Sequence, residues 1–164
     1  MRVLGIDAGT IVLGYGIIDS IEQMCMVCCG ILKFSPRIPI EVRLGALYTG
    51  LSKIIVEHQP DEVAIEEPFV GRNTRSALAI GRAQTAAILA AVNQGLSVYR
   101  YAPAQIKQAV TNYGRSGKEQ VQEMVRLHLG LSEAPQPSDA ADALATAICH
   151  LQQSRLSQWL ADRT

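Results

Sequence analysis

Four acidic residues lie in three apolar segments that are far apart in the chain. They are Asp7 within residues 5–9, Glu66 within residues 63–68, and Asp139 and Asp142 within residues 138–143. An ionised carboxylate in an apolar segment is costly to bury unless an opposite charge compensates it. Divalent cations with oxygen ligands, such as Mg²⁺, supply that charge. The four acids together therefore predict a magnesium site that acts on phosphates, where two ions about 4 Å apart can assist phosphoryl transfer.

Some of these acids also have simpler explanations. Asp139 and Asp142 are three residues apart and share one face of a predicted helix, but acids at a helix start also complement the helix dipole. Asp7 closes an apolar strand and has no capping role. Along the strand that contains Glu66, side chains alternate between faces. Glu67 is therefore expected to point away from the site, as a structural or solvent-facing residue.

The elements that must position these acids follow from apolar spacing. Strands are predicted at about 2–7, 13–19, 25–34, 62–67 and 96–101, and helices at about 40–58, 73–93, 103–110, 117–129 and from 139, with Ser138 as an N-cap. This order predicts an α/β fold with a five-stranded mixed sheet flanked by helices. Gly9 and Gly14 predict a first turn with positive φ. If the first and fourth strands are neighbours, Asp7 and Glu66 meet at one end of the sheet.

The chain length fits one domain, predicted to cover residues 1–155, with residues 156–164 as a C-terminal tail. No apolar run approaches the roughly 18 residues that a membrane span needs. The N-terminus also lacks the pattern of a signal peptide. We therefore expect a cytoplasmic protein with no membrane association.

The four cysteines leave one metal alternative open. Cys25, Cys28 and Cys29 fall in a predicted strand, and Cys149 with His150 could complete a zinc site. Strand pleating, however, predicts that Cys25 and Cys28 face opposite sides of the sheet. Small buried apolar side chains are the favoured interpretation of these cysteines.

The charges are unevenly distributed although the formal net charge is zero. Residues 1–67 carry a net charge of −4 and residues 119–164 a net charge of −3. Residues 68–118 contain no acid and seven bases: Arg72, Arg75, Arg82, Arg100, Lys107, Arg115 and Lys118. Such a stretch favours contact with a polyanion, because phosphate contacts supply most non-specific nucleic-acid affinity. The alternative is that these are solvated helix charges with partners elsewhere in the fold.

Three motifs together resemble the RuvC family of Holliday-junction resolvases, and the resemblance covers nearly the whole chain. They are residues 5–9 with 14–16, residues 64–66, and residues 139–145. The resemblance implies an RNase H-like fold and a symmetric homodimer that acts on four-way junction DNA in recombination and repair. It implies paired nicks in two opposing strands that leave 5′-phosphate and 3′-hydroxyl ends. It further implies two Mg²⁺ ions per site, with Mn²⁺ as a substitute, and a branch-migration motor complex as a partner.

The resemblance also implies roles for individual residues. Asp7, Glu66, Asp139 and Asp142 match the family's catalytic and metal-binding acids. Lys107 and Lys118 match basic positions near the DNA and the scissile phosphate. We therefore expect Lys118 to be one of the catalytic residues. Phe69 matches an aromatic that stacks on an unpaired junction base, although it could instead be a core residue. Apart from the resemblance, the acid-free basic stretch leads us to expect that Arg72, Arg75 and Arg115 contact the DNA backbone.

Two positions depart from the family pattern, and three other readings stay open. Ala8 stands where the family usually has proline, and Glu67 adds a charge that some members lack. Residues 7–10 also resemble the first phosphate motif of the actin, Hsp70 and sugar-kinase superfamily, whose members need two lobes to bind ATP. A non-catalytic junction-binding module is a further alternative, although negative charge facing DNA would not help a pure binder. The nearest rival is an RNase H-like nuclease with another branched or hybrid substrate.

Overall fold

The fold follows the predicted order of elements. The computed structural model describes residues 1–67, 74–161 and 163, apart from the side chains of Thr74 and Arg75. The strands are β1 (Arg2–Asp7), β2 (Val12–Ser20), β3 (Met24–Lys33), β4 (Glu62–Glu66) and β5 (Ser97–Tyr101). The helices are α1 (Ile40–His58), α2 (Thr74–Val92), α3 (Pro103–Thr111), α4 (Lys118–His128) and α5 (Ser138–Ala161). The predicted bounds agree to within about one residue.

The five strands form one mixed sheet in the order β3-β2-β1-β4-β5. β1 and β3 are each antiparallel to β2, whereas β1, β4 and β5 run parallel to one another. The predicted five-stranded mixed sheet is therefore confirmed. Because β1 and β4 are parallel neighbours, their carboxyl ends lie at the same edge of the sheet.

Helices cover both faces of the sheet, and each face has its own apolar core. On one face, leucines and isoleucines of α1 and the alanines of α2 pack against Leu4, Ile6 and Val63. On the other face, α3, α4 and α5 pack against Val3, Ile18 and Ala64. α5 extends to Ala161, beyond the domain boundary predicted at residue 155, and that boundary stays a prediction. In the described ranges, no helix is long and apolar enough to cross a membrane.

The cysteine-bearing strand contains an irregularity that the sequence did not reveal. Ile17 pairs with Cys28, whereas the next residue, Ile18, pairs with Met26, so β3 has one extra residue at this point. A bulge of this kind resets the alternation of side chains. Cys25 and Cys28 are therefore on the same face, and the prediction of opposite faces was wrong. All four cysteines are free, and the described residues contain no cluster around them that could hold zinc.

Candidate active site

Asp7 ends β1 on the sheet face that α5 covers. Its register partner is Gly14 of β2, and alternation along β1 places Asp7 on the same side as Val3 and Gly5. Gly14 does not have positive φ, and neither does Gly9, so the prediction of a positive-φ turn was wrong. Glycine is needed at position 14 for a different reason, which is the closeness of α5.

Glu66 ends β4 at the same edge of the sheet. Ile6 pairs with Ile65 in parallel register, so the residues that follow them, Asp7 and Glu66, lie side by side. The backbone around Glu66 is held from two directions. The side-chain amide of Gln84 donates to the carbonyl oxygen of Glu66 at 3.2 Å. On the other side, the N–H of the next residue bonds to β5.

Glycines on the strands allow α5 to approach the sheet closely. A Cβ atom on Gly5 would overlap the carbonyl oxygen of Ala143, and one on Gly14 would overlap the carbonyl oxygen of Asp139. Gly16 lies under the same helix. The backbone of α5 therefore rests directly on β1 and β2. This contact brings the first turns of α5, with Asp139, to the end of β1.

The four predicted acids are close enough to influence one another. Burial, followed by the charges of Asp142 and Asp139, raises the pKa of Asp7 to about 6. Burial, followed by the charges of Asp7 and Asp142, raises the pKa of Glu66 to about 7. Nearby lysines oppose both shifts without cancelling them. The site therefore holds more negative charge than its surroundings neutralise, which favours binding of a cation.

Lys118 supplies one positive charge to this cluster. It is the first residue of α4, and its Nζ lies 2.8 Å from Oδ2 of Asp142. This hydrogen bond is the largest of the effects that raise the pKa of the Lys118 ammonium. The cluster therefore contains an ion pair between two residues that come from different helices.

The loop before Lys118 is held by hydroxyl groups that the sequence reasoning missed. Thr111 Oγ1 and Ser116 Oγ are 2.6 Å apart, and Ser116 also donates to the carbonyl oxygen of Tyr113. Ser116 is only 2% exposed. The signal in the sequence was the pair of hydroxyl residues that flank a glycine-containing segment, which is typical of an ordered turn. These bonds fix the start of α4 and hence the origin of the Lys118 side chain.

Two of the four acids and both predicted lysines line one cleft of about 180 Å³, whereas Asp7 and Asp139 do not line it. Its charged lining residues are Glu66, Asp142, Lys107 and Lys118, and its remaining lining residues are Pro103, Ile106, Val121 and Ala145. The structure thus brings both predicted lysines to the acids. Arg115 is exposed on the loop before α4 and does not line this cleft.

The donor set fits a hard divalent cation, although its side chains are not gathered into a finished coordination shell. Within residues 1–67, 74–161 and 163, no group of three His, Cys, Asp or Glu side chains is arranged to hold a metal ion. Asp142 is instead paired with Lys118. The chemistry of the donors is nevertheless appropriate, because all four are carboxylates and Mg²⁺ prefers oxygen ligands. Asp7, Glu66, Asp139 and Asp142 are the residues that could hold it.

Three of the predicted DNA contacts fall in or next to the segment between β4 and α2. Phe69 and Arg72 lie outside the described residues, as does the side chain of Arg75. Glu67, which was expected to point away from the cluster, does not line the cleft. Its Oε1 is instead 3.7 Å from Nε of Arg100, and both side chains are about half exposed.

The chain is similar to known proteins over most of its length. The family model described as "Crossover junction endodeoxyribonuclease RuvC" matches residues 3–150. A protein of that name from Dehalococcoides mccartyi is 54% identical over 151 residues, which cover 92% of each chain. The structure of Thermus thermophilus RuvC superposes with a TM-score of 0.89 at 37% identity, covering 96% of this chain and 97% of that one. T. thermophilus RuvC in complex with Holliday junction substrate gives a TM-score of 0.91 at 38% identity, with 96% of each chain covered.

Proposed function

This chain belongs to the RuvC family of crossover junction endodeoxyribonucleases and is a nuclease that resolves Holliday junctions, and we propose that Asp7, Glu66, Asp139 and Asp142 form its catalytic centre. The observation that supports this proposal is that acids from β1, β4 and α5 lie near enough for their charges to raise the pKa values of Asp7 and Glu66, where α5 packs closely on the sheet. The reaction would be hydrolysis of backbone phosphodiesters by paired, symmetric nicks in two opposing strands. Its products would carry 5′-phosphate and 3′-hydroxyl ends.

Metal dependence is general in this family, and we infer that this chain uses two Mg²⁺ ions, with Mn²⁺ as a substitute. When bound, such ions activate a water molecule and stabilise the leaving oxygen. The four carboxylates would bind these ions in their ionised state. In the absence of a cation, the raised pKa values of Asp7 and Glu66 favour the protonated state instead. Lys118 and Lys107 would neutralise phosphate charge at the cleft that both line.

DNA binding beyond the cleft is assigned to the acid-free stretch of the chain. Residues 68–118 carry seven bases and no acid, and a T. thermophilus relative forms a complex with a Holliday junction substrate. We propose that this chain binds four-way junction DNA in the same way. Arg72, Arg75 and Arg115 would contact phosphates, and Phe69 would stack on an unpaired base, where stacking is worth about 1–3 kcal/mol.

A homodimer suits both the substrate and one surface of α2. Leu78, Leu89 and Val92 are 57%, 49% and 54% exposed. Their spacing places them within one stripe of the helix, opposite Ala83 and Ala87, which face the core. We propose that a second copy of the chain covers this stripe, because a two-fold junction calls for two sites related by a two-fold axis. A branch-migration motor as partner and a cytoplasmic location remain predictions.

The test is cleavage of an immobile four-way junction beside a linear duplex and an RNA–DNA hybrid. Each substrate is incubated with Mg²⁺ or with EDTA, using the wild type and Asp7→Asn. Paired Mg²⁺-dependent nicks in the junction alone, abolished in the variant while junction binding persists, are expected. Full cleavage by Asp7→Asn would contradict the catalytic assignment. Cutting of the hybrid instead would show that the substrate is not the four-way junction. Tight binding without cutting, on several junction sequences, would indicate a non-catalytic binding module.

A further inference from the structure

A second polar cluster lies on the same face of the sheet as the acids. His150 of α5 is 2% exposed, yet both of its ring nitrogens have partners. Nε2 lies 2.6 Å from Oε2 of Glu62, and Nδ1 lies 2.7 Å from the hydroxyl of Tyr101. The hydroxyl of Tyr99 donates to Oε1 of Glu62 at 3.1 Å. This His150 cluster therefore links α5, β4 and β5.

One assignment of protons satisfies the whole cluster. If the Tyr101 hydroxyl donates to Nδ1, then Nε2–H of a neutral His150 donates to Glu62, which also accepts from Tyr99. The ring of Tyr99 packs against the imidazole at 4.5 Å between centroids. A buried polar network that is fully satisfied holds its members in one arrangement. The side chain of Tyr101 is thus fixed by a chain of bonds that ends at Glu62.

Tyr101, whose side chain is fixed in this way, is the neighbour of Glu66 on the adjacent strand. Tyr101 pairs with Glu66 in the parallel register of β4 and β5, so their side chains share a face. The backbone carbonyl of Tyr101 accepts the N–H of Glu67 at 2.8 Å. Tyr101 is the last residue of β5, so its side-chain bond to His150 adds to the backbone bond that holds the end of this strand. Its bond to His150 therefore holds the backbone on which Glu66 depends.

We propose that Tyr101, tethered by His150 and Glu62, is a positioning residue for Glu66. The inference rests on the proposed function, in which Glu66 binds metal. α5 also carries Asp139 and Asp142, so the tether joins the helix that bears two of the acids to the strand that bears a third. It keeps these acids in register before any cation arrives, and it acts without touching substrate.

The competing explanation is that the cluster only stabilises the fold, and matched variants separate the two. Tyr101→Phe removes the hydroxyl that bonds to His150 and keeps the ring. Tyr99→Phe removes a hydroxyl that also bonds to Glu62, but Tyr99 does not pair with Glu66. Ile17→Val, on the opposite face of the sheet, provides a mild loss of stability that leaves the cluster intact.

Two readouts are measured for each variant. The first is Mg²⁺ affinity without DNA, obtained from the rise of melting temperature with metal concentration. The second is the separate determination of kcat and KM for junction nicking. Because one hydrogen bond is lost, Tyr101→Phe is expected to weaken Mg²⁺ binding and lower kcat by about three- to tenfold, with KM nearly unchanged. Tyr99→Phe and Ile17→Val are expected to stay within about twofold of wild type.

The outcomes distinguish failure of this inference from failure of the proposed function. If wild type responds to Mg²⁺ and Tyr101→Phe matches Tyr99→Phe in metal affinity and kcat, the cluster is only structural and the inference is overturned. If wild type shows neither metal stabilisation nor metal-dependent nicking, the proposed function fails and the inference fails with it. His150→Gln, which can still donate to Glu62, should reproduce the Tyr101→Phe effect, and wild-type metal affinity in that variant would also count against the tether.

Discussion

The ammonium nitrogen of Lys118 lies 2.8 Å from Oδ2 of Asp142, so a side chain from α4 neutralises an acid from α5. Asp142 is thereby engaged by the cation that the protein itself supplies. A metal ion that binds Asp142 has to displace Lys118 or share the carboxylate with it. Displacement would leave the Lys118 side chain, which is 55% exposed, free to reach a DNA phosphate at the cleft.

Lys118→Met is therefore expected to change metal binding and catalysis in opposite directions. Without the competing ammonium, Asp142 should bind Mg²⁺ more tightly, so the metal concentration for half-maximal thermal stabilisation should fall. Nicking should slow by about 100-fold, because a charge at the scissile phosphate is lost. Mg²⁺ titration by thermal melting and single-turnover nicking measure the two effects. Lys53→Met, an exposed lysine on α1, is the control, and weaker metal binding by Lys118→Met would contradict the competition.

The metal-free protein is expected to lose stability as the pH rises. Burial raises the pKa of Glu66 to about 7 and that of Asp7 to about 6, so the folded state binds these protons more tightly than the unfolded state does. The stability gained from their protonation is full below the ordinary carboxyl pKa and is lost as the pH passes through 6 and 7. Glu66→Gln should therefore melt about 5 °C higher than wild type at pH 8 in EDTA.

Three further melting-temperature comparisons serve as controls for this prediction. At pH 4 the difference between Glu66→Gln and wild type should vanish, because Glu66 is then protonated in both states. Glu67→Gln alters a half-exposed neighbour that contacts Arg100 and should change the melting temperature little. Added Mg²⁺ at pH 8 should stabilise wild type more than Glu66→Gln. An equal stabilisation of both proteins would argue against Glu66 as a ligand.

Gly14→Ala is expected to displace α5 from the sheet. The added methyl group would overlap the carbonyl oxygen of Asp139, so the helix start must move. Overpacking of this kind costs about 1–3 kcal/mol of unfolding free energy. A displacement of about 1 Å would slow nicking by about 100-fold. Chemical denaturation and nicking assays, with junction binding measured separately, test both effects.

Gly45→Ala provides the matched control for that substitution. Gly45 lies on the exposed side of α1, and a Cβ there meets nothing within 4 Å. Alanine in a helix interior should stabilise the protein by about 0.5–1 kcal/mol, with no change in nicking. Wild-type activity in Gly14→Ala would mean that the position of Asp139 does not matter to the reaction.

Leu89→Asp is expected to disrupt the proposed dimer. The substitution places a charge in the apolar stripe of α2, where Leu89 is 49% exposed. Light scattering should report a monomer, and junctions should be nicked in one strand rather than in two. Ile21→Asp changes another exposed apolar residue, in the turn between β2 and β3, and should leave the dimer intact. A dimer that survives Leu89→Asp would place the interface elsewhere.

The sequence by itself determined the elements and the candidate acids. Alternation and helical spacing located the five strands and five helices to within about one residue, because these patterns reflect local backbone geometry and one-sided burial. Asp7 and Glu66 stood out because each ends an apolar strand, where neither solvent exposure nor helix capping explains a charged side chain. Local composition likewise identified the acid-free, basic stretch at residues 68–118.

Only the tertiary structure decided which of these residues meet. Glycine is needed at position 14 because α5, which is distant in sequence, packs against it. Cys25 and Cys28 share a face because of an inserted bulge residue. The bond between Glu62 and His150 joins residues that are far apart in the chain. Each follows from strand order, register and the closeness of α5, and no local pattern encodes these. Packing decides them, because a contact between distant segments forms only where the whole sheet and its helices bring both partners together.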